Sequence, residues 1–87
     1  MTIRYYIPEL DMGPEDDWSF EPRKCEIVNT KFDAARLAAE DYHYKRDGWE
    51  NESWPIVFMV AWREGQEHFD AVSVEREVCP NFVARGI

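Results

Sequence analysis

Long apolar runs are missing from this sequence, and so are the marks of export. No stretch of the 87 residues approaches the roughly 18 uninterrupted apolar residues that a membrane-spanning helix needs. The first residues, Met1-Thr2-Ile3-Arg4, have neither the apolar core nor the small-residue cleavage site of a secretory signal. The expectation is a cytoplasmic protein with no membrane partner. Cysteine is scarce as well: Cys25 and Cys79 stand far apart, with no CxxC pair and no His or Cys at metal-ligand spacing. In a reducing compartment they read as two free thiols, with a disulfide as the alternative if they fall on neighbouring strands. No metal and no cofactor is expected. Basic charge is the third shortage, since ten Lys and Arg face eighteen Asp and Glu, a net charge of -8. A field of that sign repels phosphates and attracts basic surfaces, so direct nucleic-acid binding is not expected.

What is present is enough to fold. Apolar residues make up 45% of the chain, and four Trp, four Tyr and five Phe supply bulk for a core, which sets it apart from disordered sequences. A chain of this length buries roughly 60 to 65 percent of its unfolded surface around one core. A single domain over residues 1–87 follows, with one anomaly. Residues 8–22, PELDMGPEDDWSFEP, hold six acids and no basic residue. Their Pro, Gly and Asp content predicts a long acidic loop, pinned to the body by Trp18 and Phe20.

Around that loop the pattern predicts five elements. TIRYYI, residues 2–7, is rich in β-branched and aromatic types and reads as a strand ended by Pro8. RKCEIV, residues 23–28, reads as a second strand with Cys25 and Ile27 on one face. Thr30 followed by Asp33 resembles a capping box that starts a helix near Lys31. Phe32, Ala35, Ala39 and Tyr42 then recur at helical spacing, with Ala34, Leu37 and Ala38 widening the apolar side. Lys45 and Arg46 suit the negative end of the helix dipole, and Gly48 can take a left-handed stop. PIVFMVAW, residues 55–62, reads as a central strand buried on both faces, or nearly so. A turn at Arg63-Glu64-Gly65-Gln66 leads into a hairpin partner carrying Val72, Val74 and Val78. The tail CPNFVARGI reads as irregular, with Phe82 as a docking anchor. The fold class is therefore α+β in two layers: an antiparallel sheet of three to four strands with one helix packed across one face, in ββαββ order.

Chemistry-bearing motifs are few. Glu40 and His43 form one ExxH spacing with Asp47 a turn later, but di-iron bundles need a second such motif and further carboxylates, so a solvated helix face is the reading. His68 and Asp70 share a strand face without further ligands. Neither cysteine has a recognisable activating context, and no enzyme is expected. The acids read instead as a binding surface: Glu9, Asp11, Glu15, Asp16, Asp17 and Glu21 in the loop, then Asp47, Glu50 and Glu52 after the helix, with Trp18 and Trp49 as aromatic anchors. Along the helix Glu40 and Asp41 add to this negative face. Trp49 and Trp54 also have a structural reading, packing under the helix end and over the sheet.

The run AAEDYHYKRDGWENESWPIVFMV from Ala38 to Val60, followed by VSVEREVCPNF, resembles a class of short acidic proteins of bacteriophages and prophages. Its marks are an acidic helix end, a DGWE stretch, a WP dipeptide and a closing strand; here Glu77-Val78-Cys79 stands where that strand carries an aromatic residue. The resemblance implies a mobile-element origin, a bacterial host cytoplasm, and by analogy of size and charge a non-enzymatic inhibitor such as an anti-CRISPR protein. Its partner would be a basic host protein, one with a nucleic-acid-binding surface that the carboxylates imitate. The alternative is a small accessory module that self-associates through exposed aromatics; both a monomer and a homodimer fit the sequence.

Overall fold

In a computed structural model the chain folds as a five-stranded antiparallel sheet crossed on one face by one α-helix. The structure describes residues 2–24, 26–46, 48–50, 54–63, 65–77 and 81–86, with backbone alone at 49, 77 and 81. The elements are β1 (Ile3–Tyr6), β2 (Trp18–Phe20), α1 (Lys31–Lys45), β3 (Ile56–Ala61), β4 (Asp70–Glu77) and β5 (Asn81–Arg85), in spatial order β2-β1-β3-β4-β5. The α+β class and the single helix across the sheet match expectation. The strand count and order do not, and two segments account for the difference.

The first is the acidic segment. Residues 18–20, expected in a loop, form β2 and pair with β1 through Ile3 with Phe20, Arg4 with Ser19 and Tyr5 with Trp18. Residues 23–28 contain no strand among the described residues, and Ile27 is 71% exposed, so the expected second strand lies some five residues too late. Alternation decides this: Trp18 and Phe20 bring two large rings to the core, whereas Ile27 brings one branched side chain, and ring burial dominates. The second segment is the tail. Asn81–Arg85 is β5 and not irregular; it pairs with β4 from Ser73 with Arg85 to Glu77 with Asn81. Phe82 is buried as anticipated.

α1 starts where the sequence said. Thr30 Oγ1 accepts from the Asp33 amide at 3.3 Å, while the Asp33 carboxylate accepts from the Asn29 amide at 3.1 Å. One orphan amide of the helix, that of Asp33, is thus satisfied, and the Asp33 carboxylate ties down the chain ahead of the cap at the positive end of the helix. Ala34, Ala35, Leu37, Ala38, Ala39 and Tyr42 are buried. Four alanines in that stripe let the helix backbone approach the sheet closely. Phe32 is not part of it: the ring is 37% exposed, with the Lys31 ammonium 5.5 Å from its centroid.

The core lies between this stripe and the sheet face of Ile3, Tyr5, Ile56, Phe58, Val60, Val72 and Val74. β3 is apolar throughout but fully buried only on the face of Ile56, Phe58 and Val60, contrary to the expected burial of both; on the other face Ala61 is buried while Val57 and Met59 are half-buried. The expected hairpin of β3 and β4 is present, in register from Ile56 with Val74 to Val60 with Asp70. Its connection is longer than a tight turn, and Gln66 organises it. The Gln66 side-chain oxygen accepts from the Trp62 and Arg63 amides, and its amide nitrogen donates to the His68 carbonyl and to Asp70.

Gly48 has a different role from the one predicted. It is buried in a single 3₁₀ turn, Gly48–Glu50, without a left-handed φ. A Cβ there would fall 2.6 Å from the Tyr42 carbonyl oxygen, so the residue is glycine because the chain passes against α1.

Candidate functional site

The C-terminal half of α1 and the segment that leaves β2 enclose a groove of about 500 Å³, lined by Phe20, Glu21, Arg23, Glu26, Leu37, Glu40, Asp41, Tyr44 and Lys45. Four carboxylates face two cations there. α1 supplies Leu37, Glu40, Asp41, Tyr44 and Lys45, spaced by three and four so that they share one side of the helix. The opposite wall is an irregular strand exit, held in shape where Glu26 accepts from the Arg23 amide at 2.8 Å. Leu37 forms an apolar floor, and Tyr44, 63% exposed, stands at the mouth.

A buried polar cluster fixes the geometry of this groove. Asp41 falls within the apolar stripe of α1, one turn beyond Leu37 and Ala38, and is only 6% exposed. Its carboxylate accepts from the Tyr5 hydroxyl at 2.7 Å and stands 3.6 Å from the Arg46 guanidinium. Burial, then the Asp41 bond and charge, push the Tyr5 hydroxyl far above its ordinary range, while Arg46 offsets a little of that. Arg46 also lies over the Trp18 ring, 5.3 Å from its centroid. Trp18 in turn stacks on Tyr42 and meets Tyr5 edge-on. One chain of contacts thus ties β1, β2 and the end of α1 together. The groove walls cannot drift apart without breaking it.

The predicted site residues distribute unevenly. Glu21 lines the groove. Glu9, Asp11, Glu15 and Asp16 are exposed along residues 8–16, which fold as two single 3₁₀ turns, Pro8–Leu10 and Pro14–Asp16. No ion pair holds these four acids among the described residues, although the Gly13 amide donates to Asp16. Asp17 is half-buried and paired with Arg4 at 3.5 Å. Trp18 is half-buried in the core cluster, where it pins the acidic segment as expected. Glu50 is exposed after the helix. Asp47, Glu52 and the side chain of Trp49 lie outside the described residues, as do Cys25, Val78 and Cys79.

Glu26, Glu40 and Asp41 complete the groove; Glu26 was not among the expected binding residues, and Glu40 and Asp41 were expected only as added charge on the helix face. Treating 23–28 as a strand hid Glu26, and Asp41 read as one more solvent-facing acid. The signal available for Asp41 was its position: an acid on the apolar stripe of a helix needs a buried partner. Trp54 takes its structural reading, tilted against Phe82 at 5.3 Å and stacked on Phe58 at 5.9 Å.

His43, next to the groove residues in sequence, points elsewhere. Its ring packs edge-on against Phe82, and its Nδ1 is buried with no hydrogen-bond partner among the described residues. Burial and then the Arg76 charge hold it below the usual histidine range. Among the described residues no three His, Cys, Asp or Glu side chains converge to hold a metal ion.

No family model, no curated protein and no solved structure matches the chain. What the site does must therefore be argued from its own geometry.

Proposed function

We propose that this chain is a non-enzymatic acidic interaction protein that docks on a basic surface of a partner protein, with the groove between α1 and the exit of β2 receiving a basic side chain. The observation that carries this reading is the groove itself: Glu21, Glu26, Glu40 and Asp41 surround an apolar floor, with the Tyr44 and Phe20 rings at hand. Carboxylates offer a guanidinium paired acceptors, and aromatic faces add cation–π attraction of about 0.5–1 kcal/mol at exposed sites. The walls are fixed before binding by the Tyr5, Asp41, Arg46 and Trp18 cluster, which lowers the ordering cost of association. The exposed acids at Glu9, Asp11, Glu15 and Asp16 extend the negative field outside the groove and speed encounter with a basic target.

The biological setting we propose is inhibition of a host nucleic-acid-binding protein by a phage or mobile-element product, of which an anti-CRISPR protein would be one form. Net charge of -8 and the DGWE and WP likeness support that setting.

An oligoarginine peptide, titrated calorimetrically at low and at high salt, tests the chemistry. Binding should weaken as salt rises, and Glu40→Lys should weaken it about tenfold, while Glu67→Lys, the same charge change in an exposed loop, should cost no more than about twofold. Equal losses from the two variants would reduce the groove to a share of a diffuse field and remove it as the site.

A further inference from the structure

Asp41 meets the fold with one carboxylate oxygen and leaves the other unused. The hydrogen bond from the Tyr5 hydroxyl at 2.7 Å and the Arg46 guanidinium at 3.6 Å both fall on Oδ2. Oδ1 accepts no hydrogen bond among the described residues, and it is not sealed from solvent although the side chain is only 4% exposed. A desolvated carboxylate oxygen calls for a donor, and the groove that Asp41 lines is the side from which one can come.

Arg46 shows which donor suits this carboxylate. Its guanidinium stands beside Oδ2 and over the Trp18 ring, 5.3 Å from the centroid. The groove offers the same pairing of a carboxylate with aromatic rings: Asp41 with Phe20 on the β2 wall and Tyr44 on the α1 wall. Phe20 meets Tyr5 and Tyr44 meets His43, and among the described residues the two rings do not meet each other across the groove. No resident cation takes the place either. Arg23 and Lys45 line the groove, yet among the described residues neither forms an ion pair with its carboxylates.

We infer that the groove takes one arginine side chain of the partner and discriminates against lysine, with the guanidinium donating to Asp41 Oδ1. This rests on the docking function proposed above and narrows it to one kind of side chain. Net charge does not make the choice: with Arg46 counted, four carboxylates face three cations, so a point charge gains little. Shape and hydration make it. A guanidinium spreads five N–H donors over one plane, so it can reach Oδ1 and a second groove carboxylate together. Its flat face stacks on aromatic rings, which a compact ammonium exploits less well. It is also more weakly hydrated, so it sheds less water on reaching a buried oxygen beside the apolar Leu37. An ammonium keeps its water and stays with the outer acids.

Calorimetric titration with hexaarginine and hexalysine at one salt concentration separates this inference from the docking reading. Hexaarginine should bind about tenfold tighter or more, and Tyr44→Leu should cut that ratio to about threefold or less. Asp41→Asn, with its amide oxygen kept on the Tyr5 hydroxyl, turns an N–H toward the groove and should remove the preference. Glu67→Gln, outside the groove, should leave it unchanged. Circular dichroism checks folding, and Tyr44→Leu, at an exposed position, decides alone if Asp41→Asn is not folded. Equal binding of the two peptides overturns the inference and leaves the docking reading standing, whereas failure of both to bind removes both. A preference that survives Tyr44→Leu belongs to the acidic surface at large and also overturns it.

Discussion

Replacing Tyr5 by phenylalanine is the sharpest test of the cluster that shapes the groove. The substitution keeps the ring, which is fully buried and meets Trp18, Phe20 and Phe58, and removes only the hydroxyl. That hydroxyl is 2.7 Å from the Asp41 carboxylate, itself 6% exposed. Its loss removes a hydrogen bond to a charged acceptor, about 1.5–3 kcal/mol, and leaves Asp41 desolvated with one partner fewer. Arg46 offers little compensation at 3.6 Å, because its side chain is 35% exposed and a solvent-screened pair is worth at most about 1 kcal/mol. Against a total stability of about 4–13 kcal/mol for a chain of this length, the loss is large. The expected fall in Tm is roughly 10–20 °C. Urea unfolding followed by tryptophan fluorescence reads it, since Trp18 sits in the same cluster. Asp41→Leu should cost at least as much, yet Tyr5→Phe combined with Asp41→Leu should cost less than the sum by about 1 kcal/mol or more, because neither variant then leaves a stranded partner. Strict additivity, or a Tyr5→Phe variant as stable as the parent, would mean that the bond does not hold β1 to α1.

Alkaline titration carries the same cluster a step further: Tyr5 has a raised value in the folded state, so its contribution is complete below about pH 10 and fades as pH rises beyond that, and Tyr5→Phe should flatten the loss of the urea midpoint above about pH 10. His43 works in the opposite direction, because the unfolded chain takes up its proton near pH 6.5 while burial and Arg76 delay that in the fold. Stability should thus be full above about 6.5 and decline as pH falls below it, and His43→Gln should shrink that decline. Gly48→Ala should destabilise by about 1–3 kcal/mol through overpacking against Tyr42, measured by thermal unfolding. Thr30→Ala should cost about 1 kcal/mol through loss of the cap to Asp33, visible as a lower Tm with no change in oligoarginine binding.

Periodicity made α1 and the β3–β4 hairpin legible, since both bury long regular stripes. β2 was hidden because three residues inside a Pro- and Asp-rich segment carry almost no local signal. Its pairing with β1 is justified only by where Trp18 and Phe20 go once Tyr5 and Tyr42 are in place. β5 was hidden for a similar reason, since Pro80 reads as a stop while Asn81–Arg85 gains its strand conformation from the edge of β4. The groove inherited both blind spots. Acidic composition pointed to carboxylates, but proximity in sequence along residues 9–21 is not proximity in space, and of the acids in that run only Glu21 reaches the groove.

The charge of the chain is uneven: residues 8–16 carry Glu9, Asp11, Glu15 and Asp16 and no base, whereas Lys31–Arg46 carries four bases and three acids, so the negative field arises largely outside the helix. High salt should therefore slow association of oligoarginine with the groove more than it speeds dissociation, because the exposed acids act through a screened field while the groove carboxylates act in contact. A dissociation rate that rises with salt as steeply as the association rate falls would place the exposed acids in the contact itself.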